Sequence, residues 1–164
     1  MIDDKYLDKF MKDLNSRVAN LYEGLDAFLL ESEPREMKDY WYEYDADIID
    51  RILKDFTDAD WLKLLQNIKL KSDDWKRKLA YCLTDNENEN KYELEILLGF
   101  INTDDDELFL LTIDALRDRF NTDESKAFIM KENPDIIEKV KNKILNAGIV
   151  TKKILEVFVS QMTE

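Results

Sequence analysis

The stretch that most constrains the fold runs from Lys91 to Phe120 and reads KYELEILLGFINTDDDELFLLTIDALRDRF. Apolar residues recur in it at steps of three and four, the period of an amphipathic helix. They form two groups: Leu94, Leu97, Leu98 and Ile101, then Leu108, Leu111, Ala115, Leu116 and Phe120. Between the groups, Thr103 precedes four acidic residues, which predicts a helix start because a hydroxyl caps free amides and carboxylates favour the positive end of the helix dipole. The stretch therefore predicts a helical hairpin with an acidic turn.

The rest of the chain favours the same architecture. Glycine occurs three times and proline twice among 164 residues, which disfavours folds that need many tight turns. This length suits one hydrophobic core. We predict an all-α protein of stacked antiparallel helical hairpins in an irregular array of about eight or nine helices. We also predict that residues 1–164 form a single domain.

Two long apolar stripes precede the central hairpin. Residues 3 to 30 predict one long helix or two abutting helices, with Gly24 as a candidate bend. Pro34 then disfavours helix in the residue before it. The following segment, residues 38–56, predicts a helix with this inner face: Trp41, Ile48, Ile49, Ile52, Leu53 and Phe56.

An earlier copy of the hairpin is predicted between residues 57 and 83. Thr57 and Ser72 are the candidate caps of its two helices. Four of its apolar residues lie 33 positions before counterparts in the central hairpin: Leu64, Leu65, Ile68 and Leu83 precede Leu97, Leu98, Ile101 and Leu116. A period in the thirties is typical of helical-repeat arrays. Farther on, Thr122 predicts the start of a short helix that contains Ala127 and Phe128.

The composition argues against most catalytic and metal chemistry. Histidine is absent, which removes the commonest general base and the commonest zinc ligand. The single cysteine, Cys82, occupies an apolar helical position and is interpreted as a core residue in a reducing compartment. The acidic run from Asp85 to Asn90 lacks the glycine and the bidentate glutamate of a calcium loop. We therefore expect no enzyme, no cofactor and no metal.

No signal peptide or apolar run of membrane-spanning length is evident, so a cytoplasmic location is expected. The net charge is −13, which is expected to repel nucleic acid and anionic membrane. The acidity is uneven, since residues 1–50 and residues 84–107 each carry a net charge of −8. If the acidic segments 39–50 and 85–107 lie on one side, they form a negative patch for a basic partner. The alternative is that these carboxylates serve helix N-termini and solvated faces.

Four aromatic residues lie in the first of these acidic segments. On a helix, residues 40 to 42 spread over about 200°, so they cannot all face inward. Exposed rings among carboxylates suit a protein interface, although the rings could equally cover the first helix with their hydroxyls in water. The candidate partner-binding residues are Asp39, Tyr40, Trp41, Tyr42, Glu43, Tyr44, Asp45, Asp47, Glu87, Glu89, Asp105 and Asp106.

Two segments carry a family resemblance. DDDELFLLTIDALRD, from Asp104 to Asp118, resembles the second helix of a HEAT-like repeat, and WLKLLQNIKLKSDDWKRKLAYCL resembles a looser copy. Phe109 departs from the pattern where such repeats usually carry a basic residue. Small acidic proteins of this build are similar to the immunity proteins that bacteria encode beside contact-dependent or other polymorphic toxins. The resemblance implies binding to a cognate toxin domain, often a basic nuclease such as an RNase, and it implies no catalytic residues.

Three hypotheses of function follow. The first is a stoichiometric inhibitor of a basic toxin, with no nucleic acid and no membrane as partner. The alternative is a helical-repeat adaptor or regulatory subunit that binds another protein or peptide in a groove between hairpins. The third, an enzyme that uses paired carboxylates, is disfavoured because the chain has no histidine and no glycine-rich loop.

Overall fold

The computed structural model describes residues 2–31, 44–84 and 90–164, and these are helical without a strand. They form ten α-helices: α1 (Asp4–Arg17), α2 (Leu21–Glu31), α3 (Ala46–Lys54), α4 (Asp58–Asn67), α5 (Asp73–Thr84), α6 (Lys91–Phe100), α7 (Asp106–Arg119), α8 (Asp123–Glu132), α9 (Ile136–Ile144) and α10 (Ile149–Thr163). A 3-10 turn, Ile68–Leu70, links α4 to α5. The predicted all-α class is confirmed, with slightly more helices than expected.

The chain divides into two compact units, Met1–Cys82 and Leu83–Glu164. In the first unit, α2 contacts α1, α3 and α4. In the second unit, α6 and α7 form the central hairpin, and α10 contacts both α7 and α9. The single domain over residues 1–164 stays a prediction.

The first helical segment breaks at Val18, and the bend expected at Gly24 is wrong. Val18 is extended, with φ −117° and ψ 150°, and the Asn20 side chain accepts a hydrogen bond from the Glu23 amide at 2.9 Å, at the start of α2. Gly24 lies inside α2, where a Cβ atom would stand 3.0 Å from a methyl group of Leu14. Its missing side chain therefore permits the close approach of α2 to α1.

The predicted inner faces are largely confirmed. In α3, Ile48, Ile49, Ile52 and Leu53 are buried. Phe56 is half-buried and meets the Trp61 ring edge to face, with the centroids 4.9 Å apart. The central hairpin buries every residue of its two predicted groups except Leu111, which is half-buried. In α8, which begins after Thr122 as predicted, Ile129 is buried while Ala127 and Phe128 are exposed.

Local capping chemistry explains most helix starts. The predicted caps Thr57, Ser72 and Thr122 each accept a backbone hydrogen bond from the residue three positions later. The prediction that Thr103 caps α7 is wrong. Asp105 takes that place and accepts from the Leu108 amide at 2.8 Å, while the Thr103 hydroxyl accepts from the Asp105 amide. The cap of α7 is thus a carboxylate that lies two residues after the predicted hydroxyl.

Candidate protein-binding surface

The candidate partner-binding residues divide into two groups in the structure. Tyr44, Asp45 and Asp47 lie in the first unit, and Asp105 and Asp106 lie in the second. Seven candidates lie outside the described residues: Asp39, Tyr40, Trp41, Tyr42, Glu43, Glu87 and Glu89. The two described groups belong to separate units, so a continuous patch over both acidic segments stays a prediction.

The first group stands at the beginning of α3. Tyr44 exposes 38% of its surface, whereas Asp45 and Asp47 are half-buried. Asp47 is less accessible to a binding partner than the sequence suggested, because one of its carboxylate oxygens accepts a hydrogen bond from the Ile2 amide at 3.2 Å. Among the described residues of this segment, Tyr44 is the exposed aromatic, and Asp47 helps to hold the N-terminal segment beside α3.

Asp45 is electrostatically unusual among the candidates. It precedes α3 with helical backbone angles and makes no capping hydrogen bond with its side chain. Burial raises the pKa of the Asp45 carboxyl above its ordinary value, and the positive charge of Lys78 partly opposes the increase. Lys78 is itself buried, and its ammonium donates to the Leu29 carbonyl at 3.0 Å and stands 3.3 Å from a carboxylate oxygen of Asp74. Asp45 is thus a carboxylate that the fold partly desolvates, a condition common in functional sites.

We expect Asp45→Asn to stabilise the protein at pH 7. The folded state holds the Asp45 proton more tightly than the unfolded chain does, so the carboxylate costs stability once the pH rises above its ordinary pKa of 3.8. The asparagine variant removes that cost, and its advantage should be small and should vanish below pH 3.8. Urea unfolding followed across pH measures the difference.

Asp4→Asn is the matched control, because Asp4 is an exposed carboxylate in the first turn of α1. That variant should lose a few tenths of a kcal/mol at pH 7, since the helix dipole favours a negative charge there. The raised pKa of Asp45 would be contradicted if Asp45→Asn destabilised the protein at pH 7. It would also be contradicted if the variant stabilised the protein as much at pH 3 as at pH 7.

The second group, in the acidic turn before α7, is partly neutralised by α9. Asp105 caps α7, and Asp106 pairs with the Lys143 ammonium at 2.6 Å. Lys143 also lies 5.3 Å from the centroid of the Phe109 ring, and Lys139 donates to the Asn102 side chain. The Asp106 side chain remains 86% exposed, and such surface ion pairs contribute about 0–1 kcal/mol. A basic partner would compete with Lys143 for Asp106 at little cost.

A groove that the sequence did not predict runs beside this turn. Two cavities, of about 280 and 410 Å³, lie along it and share Phe109, Asn142 and Lys143 in their linings. Asp106, which pairs with Lys143, lines the smaller cavity, and this cavity extends to Gly148 at the start of α10. No local pattern indicates this site, because α9 meets the turn through contacts between residues 37 positions apart.

Within residues 2–31, 44–84 and 90–164, no group of three or more carboxylate or thiol side chains converges in an arrangement that could hold a metal ion. Cys82 is buried in the core, as the sequence predicted. None of the helices in these ranges has the length and apolar character needed to cross a bilayer.

The chain was compared with known family models, curated proteins and solved structures, and it matches none of them.

Proposed function

We propose that this protein is an immunity protein that binds and neutralises a cognate basic toxin domain, such as an RNase, in the cytoplasm. It acts by binding and catalyses no reaction. The observation that carries the proposal is the segregation of negative charge, since residues 1–50 and 84–107 each carry a net charge of −8. Concentrated charge of one sign accelerates encounter with an oppositely charged partner and selects against wrong ones.

The residues at the start of α3 have the properties expected of a toxin-binding site. Tyr44 offers an exposed ring with a hydroxyl, a side chain enriched among the residues that dominate interface energies. Asp45 stands next to it in a partly desolvated position, where a partner's basic side chain would relieve its unfavourable charge. In a nuclease target, these carboxylates would occupy the place of nucleic-acid phosphates.

Affinity capture on the full chain tests the proposal. Bacterial lysates are passed over the immobilised chain at low salt, and bound proteins are eluted with moderate salt and identified by mass. The proposal expects one basic protein that is toxic when expressed alone and harmless when expressed with this chain. Capture of several unrelated proteins, or of a protein whose toxicity is unchanged by co-expression, would contradict it.

We expect Tyr44→Ala to weaken binding of the captured protein about tenfold, because truncating a central interface aromatic commonly costs more than 1 kcal/mol. Tyr6→Ala is the matched control, since Tyr6 is a more exposed tyrosine on α1 of the same unit. Calorimetric titration measures both variants. Equal affinities for wild type and Tyr44→Ala would remove the start of α3 from the interface.

The groove beside α9 favours a second candidate, a helical-repeat adaptor that binds a peptide. Asn142 lines both cavities, so Asn142→Trp would obstruct a peptide lying there. An inhibitor that binds through Tyr44 would tolerate Asn142→Trp, whereas a groove-binding adaptor would tolerate Tyr44→Ala. The two variants therefore distinguish the candidates with the same captured partner.

A further inference from the structure

The turn between α9 and α10 exposes a cluster of aliphatic side chains. Leu145 is 80% exposed, Ile149 90% and Val150 75%, which places them among the four most exposed large apolar residues that the structure describes. The turn itself is ordered by hydrogen bonds from the Asn146 amide to the Lys143 carbonyl at 3.3 Å and from the Ala147 amide to the Ile144 carbonyl at 3.2 Å. The three side chains therefore project into solvent from one end of a hairpin, and this cluster is called the aliphatic tip.

Lysines flank the residues of the aliphatic tip in the sequence. Residues 139–155 contain five lysines and no carboxylate, in a chain whose net charge is −13. Lys139 and Lys143 are engaged by Asp135 and Asp106. The other three, Lys141, Lys152 and Lys153, are exposed, and Lys152 makes a loose contact of 3.9 Å with Glu156. The positive charge of this segment is thus directed to solvent beside the aliphatic residues.

The composition of the aliphatic tip fits a lipid surface better than a protein. Protein interfaces are enriched in tyrosine, tryptophan and arginine and depleted in lysine, while leucine and valine are under-represented among their dominant contacts. The tip combines aliphatic residues with lysine and has none of the enriched types. Interfacial membrane binding uses this combination, because the apolar side chains enter the boundary of the acyl region while lysines meet anionic headgroups.

We infer that the aliphatic tip docks the protein on an anionic lipid surface, with Leu145, Ile149 and Val150 in the interface and Lys141, Lys152 and Lys153 on lipid phosphates. The net charge of the whole chain predicts repulsion from an anionic membrane. However, charges farther than about 8 Å from the membrane surface are screened at physiological ionic strength. The local charge at the tip governs the contact, and it is positive. The aliphatic tip belongs to the second unit, whereas the start of α3, where the toxin contact is proposed, belongs to the first.

Vesicle co-sedimentation of the full chain tests the inference. We expect binding to phosphatidylcholine vesicles that contain phosphatidylserine, and little binding to phosphatidylcholine alone. The double variant Ile149→Ser with Val150→Ser should reduce partitioning about tenfold or more through lost apolar burial. The double variant Lys152→Gln with Lys153→Gln should reduce it by a similar factor and weaken its dependence on salt. All four positions are exposed and lie among the first five residues of α10, so the fold should be unaffected.

The matched control is Lys69→Gln with Leu70→Ser, which removes an exposed lysine and an aliphatic side chain that is 84% exposed from the 3-10 turn of the first unit. It should bind vesicles as the wild type does. The inference would be overturned if the wild-type protein failed to bind phosphatidylserine vesicles. It would also be overturned if both tip variants bound these vesicles as well as the wild type does. Tip variants that instead abolish self-association in light scattering would also overturn it and would assign the tip to a second copy of the chain. Neutralisation of the captured toxin should be unchanged in the tip variants, so the two proposals fail separately.

Discussion

Replacing Arg119 with methionine is expected to lower the free energy of unfolding by about 3–5 kcal/mol, because it leaves the carboxylate of Glu93 buried without its guanidinium partner. Both side chains lie in the core of the second unit, with Arg119 Nη2 2.5 Å from Glu93 Oε2. Arg119 also donates to the Leu83 carbonyl at the end of α5 and lies over the Phe120 ring. One side chain therefore joins α7 to α6 and to the end of α5.

The control for this prediction lies two residues away on the same helix. Arg117 pairs with Asp114 at 2.7 Å, but both side chains are about one-third exposed, so Arg117→Met should cost less than about 1 kcal/mol. The double variant Glu93→Leu with Arg119→Leu should regain most of the loss, since neither charge is then left unpaired. Urea unfolding of the four proteins measures these differences. Similar losses for Arg117→Met and Arg119→Met would contradict the account.

Asp60→Ala is expected to lower the free energy of unfolding by about 2–4 kcal/mol, because it leaves three donors without their acceptor. The buried Asp60 carboxylate accepts from the Thr57 amide at 3.0 Å and the Thr57 hydroxyl at 2.9 Å, which completes the capping box of α4. Its other oxygen accepts from the Tyr22 amide at 3.3 Å, at the start of α2. The same carboxylate thus caps α4 and satisfies an amide of α2.

Asp58→Ala is the matched control, because Asp58 is exposed at the first position of the same helix. It should cost less than about 1 kcal/mol, the contribution of a carboxylate to the helix dipole. Urea unfolding again provides the comparison. If Asp60→Ala were no more destabilising than Asp58→Ala, the carboxylate could not hold the two helix starts as described.

Local signals were sufficient for most helices, for three of the four predicted caps and for most buried faces. Thr57, Ser72 and Thr122 cap helices within three residues of themselves, so sequence spacing predicted them. The phase of α8 was not predictable in this way, because Ala127, Phe128 and Ile129 are consecutive apolar residues and periodicity alone cannot choose among them. Tertiary packing selected Ile129.

The electrostatic environment of the candidate site depended on contacts distant in sequence. The Ile2 amide reaches Asp47 across 45 positions, and Lys143 reaches Asp106 across 37. Nothing local to either carboxylate indicates its partner. The lysines of residues 139–155 are visible in the sequence, but residues 108–164 as a whole carry nine acidic and nine basic residues, so their net charge is zero.

The central claim is that this chain neutralises a basic toxin by binding it, and titration of the captured toxin's activity tests that claim most directly. The account predicts that the activity falls to zero at stoichiometric addition of the chain, that higher salt weakens the inhibition, and that Tyr44→Ala requires an excess for the same effect. A captured protein that keeps its full activity while saturated with the chain would contradict the claim and favour an adaptor.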